Sequence, residues 1–422
     1  MGGRSRDDRQ RPAGSGREAS GPAAGDTVWN PIPGIVETVE SIVVAFALAL
    51  LFRAFEAEAF VIPTGSMAPT LMGRHKDLVC ESCGRGFRVG CSQEEDGQSQ
   101  SLRTELARLE RELAPLARMA ADTAAPPRDR EAARRRLEAL EADRGPIAQL
   151  RARLDDKLVA EARCPNCGYG TELLEDRPGQ GRVSKWDYPS FSGDRILVDK
   201  FSCDFTSPDR WDVVVFRYPE DAKTNYIKRL VGLPDETVHI AGGDLWTSRG
   251  DAAPAIARKP PERMRAMLQC VHDSRHVAPR LVAAGWPTSW ADWSPPASGE
   301  ACRWTTADEG RSWKAACGAG GTATLRYRHL VPTGEDWALV EAGRSLAGRA
   351  QAARVDDFQP YNAIPTRPHP VGDLAVELRL ESGSAAGAVA LDLVEDGRRH
   401  RCLLDLAAGT ARLEIGAGAG AA

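Results

Sequence analysis

An apolar run extends from Ile35 to Phe60, and its uncharged core, Ser41–Phe52, is twelve residues long. That core length fits a buried helix. Extended back to Ile35, with Glu37 and Glu40 at an interface, the run fits a membrane span. The pattern predicts one transmembrane helix over residues 35–60. Residues 1–34 are rich in Gly, Ser, Arg and Asp and lack an apolar rhythm, so a disordered tail is expected there. A cleaved signal peptide does not suit so long a leading tail. Further on, Leu102, Leu106, Leu109, Leu113 and Leu116 recur at spacings of 4, 3, 4 and 3, the rhythm of a coiled-coil seam. Leu137, Leu140, Ile147, Leu150, Leu154 and Leu158 mark a second charged helix. Pro115 is expected to kink the first helix and Pro146 to kink or divide the second, with Ala124–Pro127 as the break between them. These signals predict a helical hairpin over residues 101–160.

The rhythm then changes to short runs rich in Val, Ile and aromatics, separated by Gly and Pro turns. Strands are expected at Arg195–Val198, Val213–Arg217, Tyr226–Leu230 and Glu236–Ile240. Residues 249–357 show little periodicity but hold Trp286, Trp290, Trp293, Trp304, Trp313 and Trp337. Alternation returns at Asp373–Leu380, Ala388–Glu395, His400–Leu406 and Ala411–Ile415, which predicts a β-sandwich-like region over 358–416. A flexible tail is expected at 417–422.

Length, charge and cysteines narrow this picture. A chain of 422 residues has room for two or three domains. Its net charge of −4 offers nothing to nucleic acid. The ten cysteines are too few for a disulfide-dense scaffold. Four of them form two CxxC-Gly knuckles, Cys80-Glu81-Ser82-Cys83-Gly84 and Cys164-Pro165-Asn166-Cys167-Gly168. Such a pair is the sequence form of a zinc ribbon, here split by the helical hairpin. Cys80, Cys83, Cys164 and Cys167 are the candidate ligands of a structural zinc. Disulfides between them are the alternative, and Cys91 lies near enough to compete as a ligand. His75 and His239 have no partner at ligand spacing. Cys302 and Cys317 can pair, a point the sequence does not decide.

Four ordered blocks carry a family resemblance. They are Pro63-Thr64-Gly65-Ser66-Met67-Ala68-Pro69-Thr70-Leu71, Gly193–Phe201, Trp211–Pro219 and Tyr226-Ile227-Lys228-Arg229-Leu230-Val231-Gly232-Leu233-Pro234. Together they resemble the type I signal peptidases, the serine–lysine proteases of the membrane surface. The resemblance implies a mainly β catalytic core, divided here between 61–72 and 184–248. Two large insertions follow from it: a zinc ribbon with its hairpin over 73–183 and the Trp-rich segment over 249–357. It also implies an N-terminus in the cytoplasm and a single-pass anchor in the cytoplasmic membrane, with the catalytic domain on the trans side. Substrates would be preproteins cleaved after an Ala-x-Ala pattern, with membrane lipid and the secretion machinery as partners and no catalytic cofactor.

A serine hydroxyl needs a base within reach, and a lysine serves when apolar neighbours desolvate its ammonium. The resemblance makes Ser66 the nucleophile and Lys228 the base, with Lys228 expected beneath Tyr226 and Leu230. It places the oxyanion hole at the Ser66 N–H and the Thr64 hydroxyl. Met67, Pro63 and Tyr226 would contact the substrate. The family's closing Gly-Asp-Asn-Arg block has no match, and its Leu-Pro-Gly-Asp turn stands here as Leu233-Pro234-Asp235-Glu236. Truncation of a longer protein is the expected explanation for the missing block. A non-catalytic, membrane-tethered binding protein that keeps the framework is the alternative reading, and a soluble regulatory autoprotease is a weaker third.

Overall fold

A computed structural model of the chain describes residues 32–55, 57–177, 181–296, 302–361, 369–395 and 397–417. The tail expected at 1–34 thus falls almost wholly outside the described residues, as does 418–422 of the other tail. Two compact units are present, Met1–Ala57 and Glu58–Ala422. The first holds helix α1, Ile32–Phe55. Its Gly34–Leu51 stretch has a mean hydropathy of 2.0 and is long and apolar enough to cross a membrane. The helix stops short of the expected Phe60. The alternating Ala57-Glu58-Ala59-Phe60-Val61 forms a strand instead, paired with Arg195–Asp199.

In the second unit, the chain on either side of the first insertion closes on itself. Asp194 accepts from the Met72 N–H through its carboxylate (2.7 Å) and from the Ile62 N–H through its carbonyl (2.9 Å). Its own N–H donates to the Met72 carbonyl, 2.9 Å away. His75 and Phe191 add a reciprocal pair of backbone bonds at 3.1 and 2.7 Å. Gly193 lies so close to the Ile62 and Met72 carbonyls that a β-carbon there would collide with both.

Between these ends lie three helices, the second arm being divided at Pro146. Helix α2 (Gly97–Ala121) is capped by Asp96, whose side chain accepts from the Ser99 N–H, and it runs through Pro115. Pro127 opens α3 (Pro127–Glu141) and Pro146 opens α4 (Pro146–Asp155), so Pro146 divides the second arm of the hairpin. Leu109, Leu140 and Ile147 are buried between them, with Leu106, Leu113, Leu116 and Leu150 around the edge. The leucine rhythm therefore makes an internal seam.

The strands expected in the catalytic segments are present. Val213–Tyr218 pairs antiparallel with Asp221–Arg229, and Thr237–Ala241, Asp244–Ser248 and Ala255–Ile256 form a three-stranded sheet. The altered turn has a clear geometry. Asp235 has φ 60°, the left-handed region that favours glycine. Glu236 then closes the turn, accepting from the Leu233 N–H at 3.0 Å and from Arg210 at 2.6 and 2.7 Å.

The Trp-rich segment contributes α6 (Pro261–Met267), α7 (Pro279–Ala283) and α8 (Gly334–Glu341), while α5 (Ser202–Phe205) follows the Arg195–Asp199 strand. Ala278, Leu281, Trp337 and Leu346 pack directly on the four knuckle cysteines. The expected sandwich over 358–416 is not formed among the described residues. Ala388–Glu395, Arg398–Asp405 and Thr410–Ala417 make a single meander, and Asp373–Leu380 is unpaired. One sheet cannot bury both of its faces, and Leu413 and Ile415 are 81% and 74% exposed.

The tight closure at Gly193 makes a stability prediction. Gly193→Ala should lose roughly 1–3 kcal/mol in denaturant unfolding, because backbone carbonyls cannot yield as a side chain does. Asp235→Gly should lose nothing and gain up to about 1 kcal/mol. Equal effects of the two changes would contradict this account.

Candidate active site

Residues Gly65–Met67 form one 3₁₀ turn, entered from an extended Thr64 (φ −126°, ψ 159°). The Ala68 N–H closes it onto the Gly65 carbonyl at 2.9 Å, and the Ala68–Pro69 peptide is cis. Ile62, Met67 and Met72 are 2%, 6% and 1% exposed and anchor the turn from within. Met67 was expected to face substrate or membrane. It is buried instead, because the turn places it opposite the exposed Ser66. Pro63 and Thr64 are exposed, and the Thr64 side chain does not cap the turn.

The Asp221–Arg229 strand carries the lysine to this turn. Lys228 pairs with Val214 across the ladder. Its Nζ donates to Ser66 Oγ at 3.0 Å and to the Ile227 carbonyl at 2.9 Å. The Tyr226 ring, on the same strand face, lies 5.6 Å from Nζ and packs 4.8 Å from Tyr218. The expected burial of Lys228 is not found. Lys228 is exposed, because Tyr226 shields it on one side only and is itself 39% exposed. Arranged this way, a hydroxyl and an amine can exchange a proton directly. The serine is also open to an incoming carbonyl.

A family model described as "Signal peptidase, peptidase S26" matches residues 187–280. Signal peptidase I of Pseudomonas fluorescens is 48% identical over 72 residues, covering 14% of this chain and 25% of the relative. That of Pseudomonas aeruginosa is 47% identical over 58 residues (11% and 20%), and that of Leptolyngbya laminosa 34% over 76 residues (16% and 37%). In these segments the chain is similar to type I signal peptidases. It spans 20–37% of the length of these three relatives. No solved structure matches.

Beside the signal-peptidase segments stands the cysteine cluster. The two knuckles repeat one turn: Gly84 N–H to Cys80 carbonyl at 2.8 Å, and Gly168 N–H to Cys164 carbonyl at 2.9 Å. Gly84 and Gly168 sit at φ 70° and 68°. All four Sγ atoms lie within 4.8 Å of one another and all four residues are buried. The Cys80–Cys167 and Cys83–Cys164 sulfurs are 3.5 and 3.7 Å apart. These separations exceed a disulfide's ~2.05 Å. They match the ~3.8 Å edge of a tetrahedron whose sulfurs stand ~2.3 Å from a central ion. Hydrogen bonds from Cys164 and then Cys167 lower the Cys80 thiol to about 7 and hold Cys83 well below the ordinary thiol range. Cys164 and Cys167 are shifted the opposite way, so it is the tetrahedral spacing of four buried sulfurs that fits a soft divalent metal. Cys91 is not part of it: it is fully buried and, mainly by that burial, pushed up to about 12. His75 Nδ1–H donates locally to the Gly73 carbonyl, 2.8 Å away, and His239 lies on an exposed strand.

The pairing that the sequence left open is made: Cys302 and Cys317 form a disulfide. Two features of the signal-peptidase segments were not read from sequence. Thr70, inside the serine block, accepts from Arg229 at 3.3 Å and donates to the Ala266 carbonyl at 2.9 Å. Trp211 holds φ 76° and buries its ring, its indole N–H donating to Arg258 at 3.1 Å. Thr70 and Trp211 lie within motifs already singled out, but their partners Ala266 and Arg258 come from the Trp-rich segment, and no local pattern announces that.

If the cluster is a metal site, the purified protein should bind one cobalt(II) ion per chain with an intense thiolate-to-metal absorption band. Cys83→Ser should lose that band. A spectrum unchanged by the substitution would exclude these thiols as the ligand set.

Proposed function

We propose that this protein is a membrane-anchored endopeptidase that removes signal peptides from exported preproteins. The observation that carries the reading is the 3.0 Å contact between Lys228 Nζ and Ser66 Oγ, made by two blocks far apart in sequence. In the proposed reaction Lys228 takes the hydroxyl proton as Ser66 Oγ attacks the scissile carbonyl. The tetrahedral oxyanion is stabilised by the Ser66 N–H and the Thr64 hydroxyl. The C–N bond breaks as the lysine returns the proton to the leaving amine, giving an acyl-enzyme on Ser66. Water, deprotonated by the same amine, releases the signal peptide and restores the serine.

The exposure of Lys228 shapes this mechanism. Desolvation disfavours an ammonium. A bound substrate segment lying over Ser66 and Tyr226 would exclude water from the pair and so activate it. The exposure of Pro63 and Tyr226 supports their contacting such a segment, and small residues suit the close approach this requires. We place Gly34–Leu51 as a single-pass anchor in the cytoplasmic membrane, with the N-terminus cytoplasmic and the catalytic residues on the trans side. Lipid and the secretion machinery would then be its neighbours. We assign zinc to Cys80, Cys83, Cys164 and Cys167 as a structural ion, since four thiolates leave no open position for catalysis.

The exposed dyad also supports a second reading, a tethered binding protein that keeps the framework without turnover. One experiment separates the two. In detergent, the chain should cleave a model preprotein bearing Ala-x-Ala, and Ser66→Ala and Lys228→Ala should each lower the rate by at least about a thousandfold. Unchanged cleavage by Ser66→Ala would sink the serine–lysine mechanism. A folded parent chain that binds the preprotein without cutting it would establish the binding reading.

A further inference from the structure

Helix α6 belongs to the Trp-rich insertion, yet it touches both halves of the candidate dyad. On one side Arg263 Nη2 donates to Asp212 Oδ1 at 2.6 Å. Asp212 belongs to the lysine half: its carbonyl accepts from the Leu230 N–H at 2.8 Å, two residues beyond Lys228. On the other side the Ala266 carbonyl accepts from Thr70 Oγ1, four residues beyond Ser66. Arg263 and Ala266 are three apart and therefore neighbours on one helix face. Arg229, adjacent to Lys228, completes the bridge. Its guanidinium donates to Thr70 Oγ1 at 3.3 Å and to the Trp211 carbonyl at 2.9 Å. Burial, and then the nearby Arg263 charge, lowers Arg229 from the ordinary guanidinium range.

We propose that α6 sets the separation of the serine turn and the lysine strand, with Thr70, Arg263 and Asp212 as positioning residues for the Ser66–Lys228 contact. The inference rests on the serine–lysine reading above. Its physical basis is the steep dependence of proton transfer and attack on distance, where a displacement of about 1 Å can cost a hundredfold in rate. The ion pair itself contributes little to stability, since Arg263 and Asp212 are 43% and 33% exposed. Loss of rate and loss of fold are therefore separable here.

The test uses the full chain in detergent with the Ala-x-Ala preprotein. Thr70→Val and Arg263→Met should each lower kcat about ten- to a hundredfold, with KM within about twofold and thermal unfolding little changed. Thr70→Ser should restore most of the rate. The double variant should be no slower than the slower single one, because both changes break one bridge. Parent-like kcat in both single variants, or fully additive losses, would overturn the proposal. A Ser66→Ala control that still cleaves would instead overturn the serine–lysine reading beneath it. A second measurement needs no turnover: the pH profile of Lys228 acetylation by acetic anhydride, read by mass spectrometry. Thr70→Val and Arg263→Met should move the parent profile at least twofold toward that of Ser66→Ala. Variant profiles identical to the parent's would refute the bridge even in a chain that cleaves nothing.

Discussion

The closure at Gly193-Asp194 is the constraint on which the rest of this structure depends. An insertion of this length must begin and end at one place, or it would pull the strands on either side of it apart. Asp194 meets that need with three hydrogen bonds to Ile62 and Met72, and Gly193 lets the chains approach closely enough to make them. The entropy of closing so long a loop grows only slowly with its length. The cost of a long insertion is therefore modest once its ends are held. The four knuckle thiols repeat the closure further out, bringing Cys80 and Cys83 to Cys164 and Cys167. The helices beyond them hold each other through their own leucine seam. The insertion is thus organised in nested layers, each closed locally, and the serine turn is left undisturbed at its root.

What was legible in the sequence follows from this layering. Locally coded elements were readable. The leucine spacing gave the helical seam, Pro146 marked a break, and the Val- and Ile-rich runs became the strands at Arg195–Asp199, Val213–Tyr218 and Asp221–Arg229. The CxxC-Gly spacing likewise predicted four sulfurs in one cluster, because each knuckle is a self-contained turn. Ser66 and Lys228 were singled out by motif, and the structure brings their side chains together. Their surroundings were not legible. The expected desolvation of Lys228 assumed neighbours above the strand face, and strand alternation says nothing of what covers a face. Met67 was misplaced for a related reason, since a 3₁₀ turn sets successive side chains about 120° apart and sequence spacing does not say which is inward.

The region beyond residue 358 shows the same limit from another side. Alternation at Asp373–Leu380 matched a strand as well as Ala388–Glu395 did, yet only the latter found a partner. Pairing is a tertiary event, and β propensity reports only that a segment would fit a pleated surface if one were available. Unpaired alternation and a meander with exposed leucines are what remain when two faces that could each be buried are not stacked on one another.

The insertions also change how the signal-peptidase segments should be understood. The Trp-rich insertion packs on the cysteine cluster through Trp337 and Leu281, and it reaches the serine turn through Ala266. Just beyond that insertion, the Tyr361 carbonyl lies against Gly65, at a distance that leaves no room for a β-carbon. The serine block therefore touches the Trp-rich insertion at Thr70 and the chain just beyond it at Gly65, while its own motif supplies only the residues between. A motif of nine residues specifies the chemistry it can offer. The geometry in which it is held comes from chain that shares no sequence with that motif, and the chain from Pro261 to Tyr361 is thereby part of the packing of the serine block.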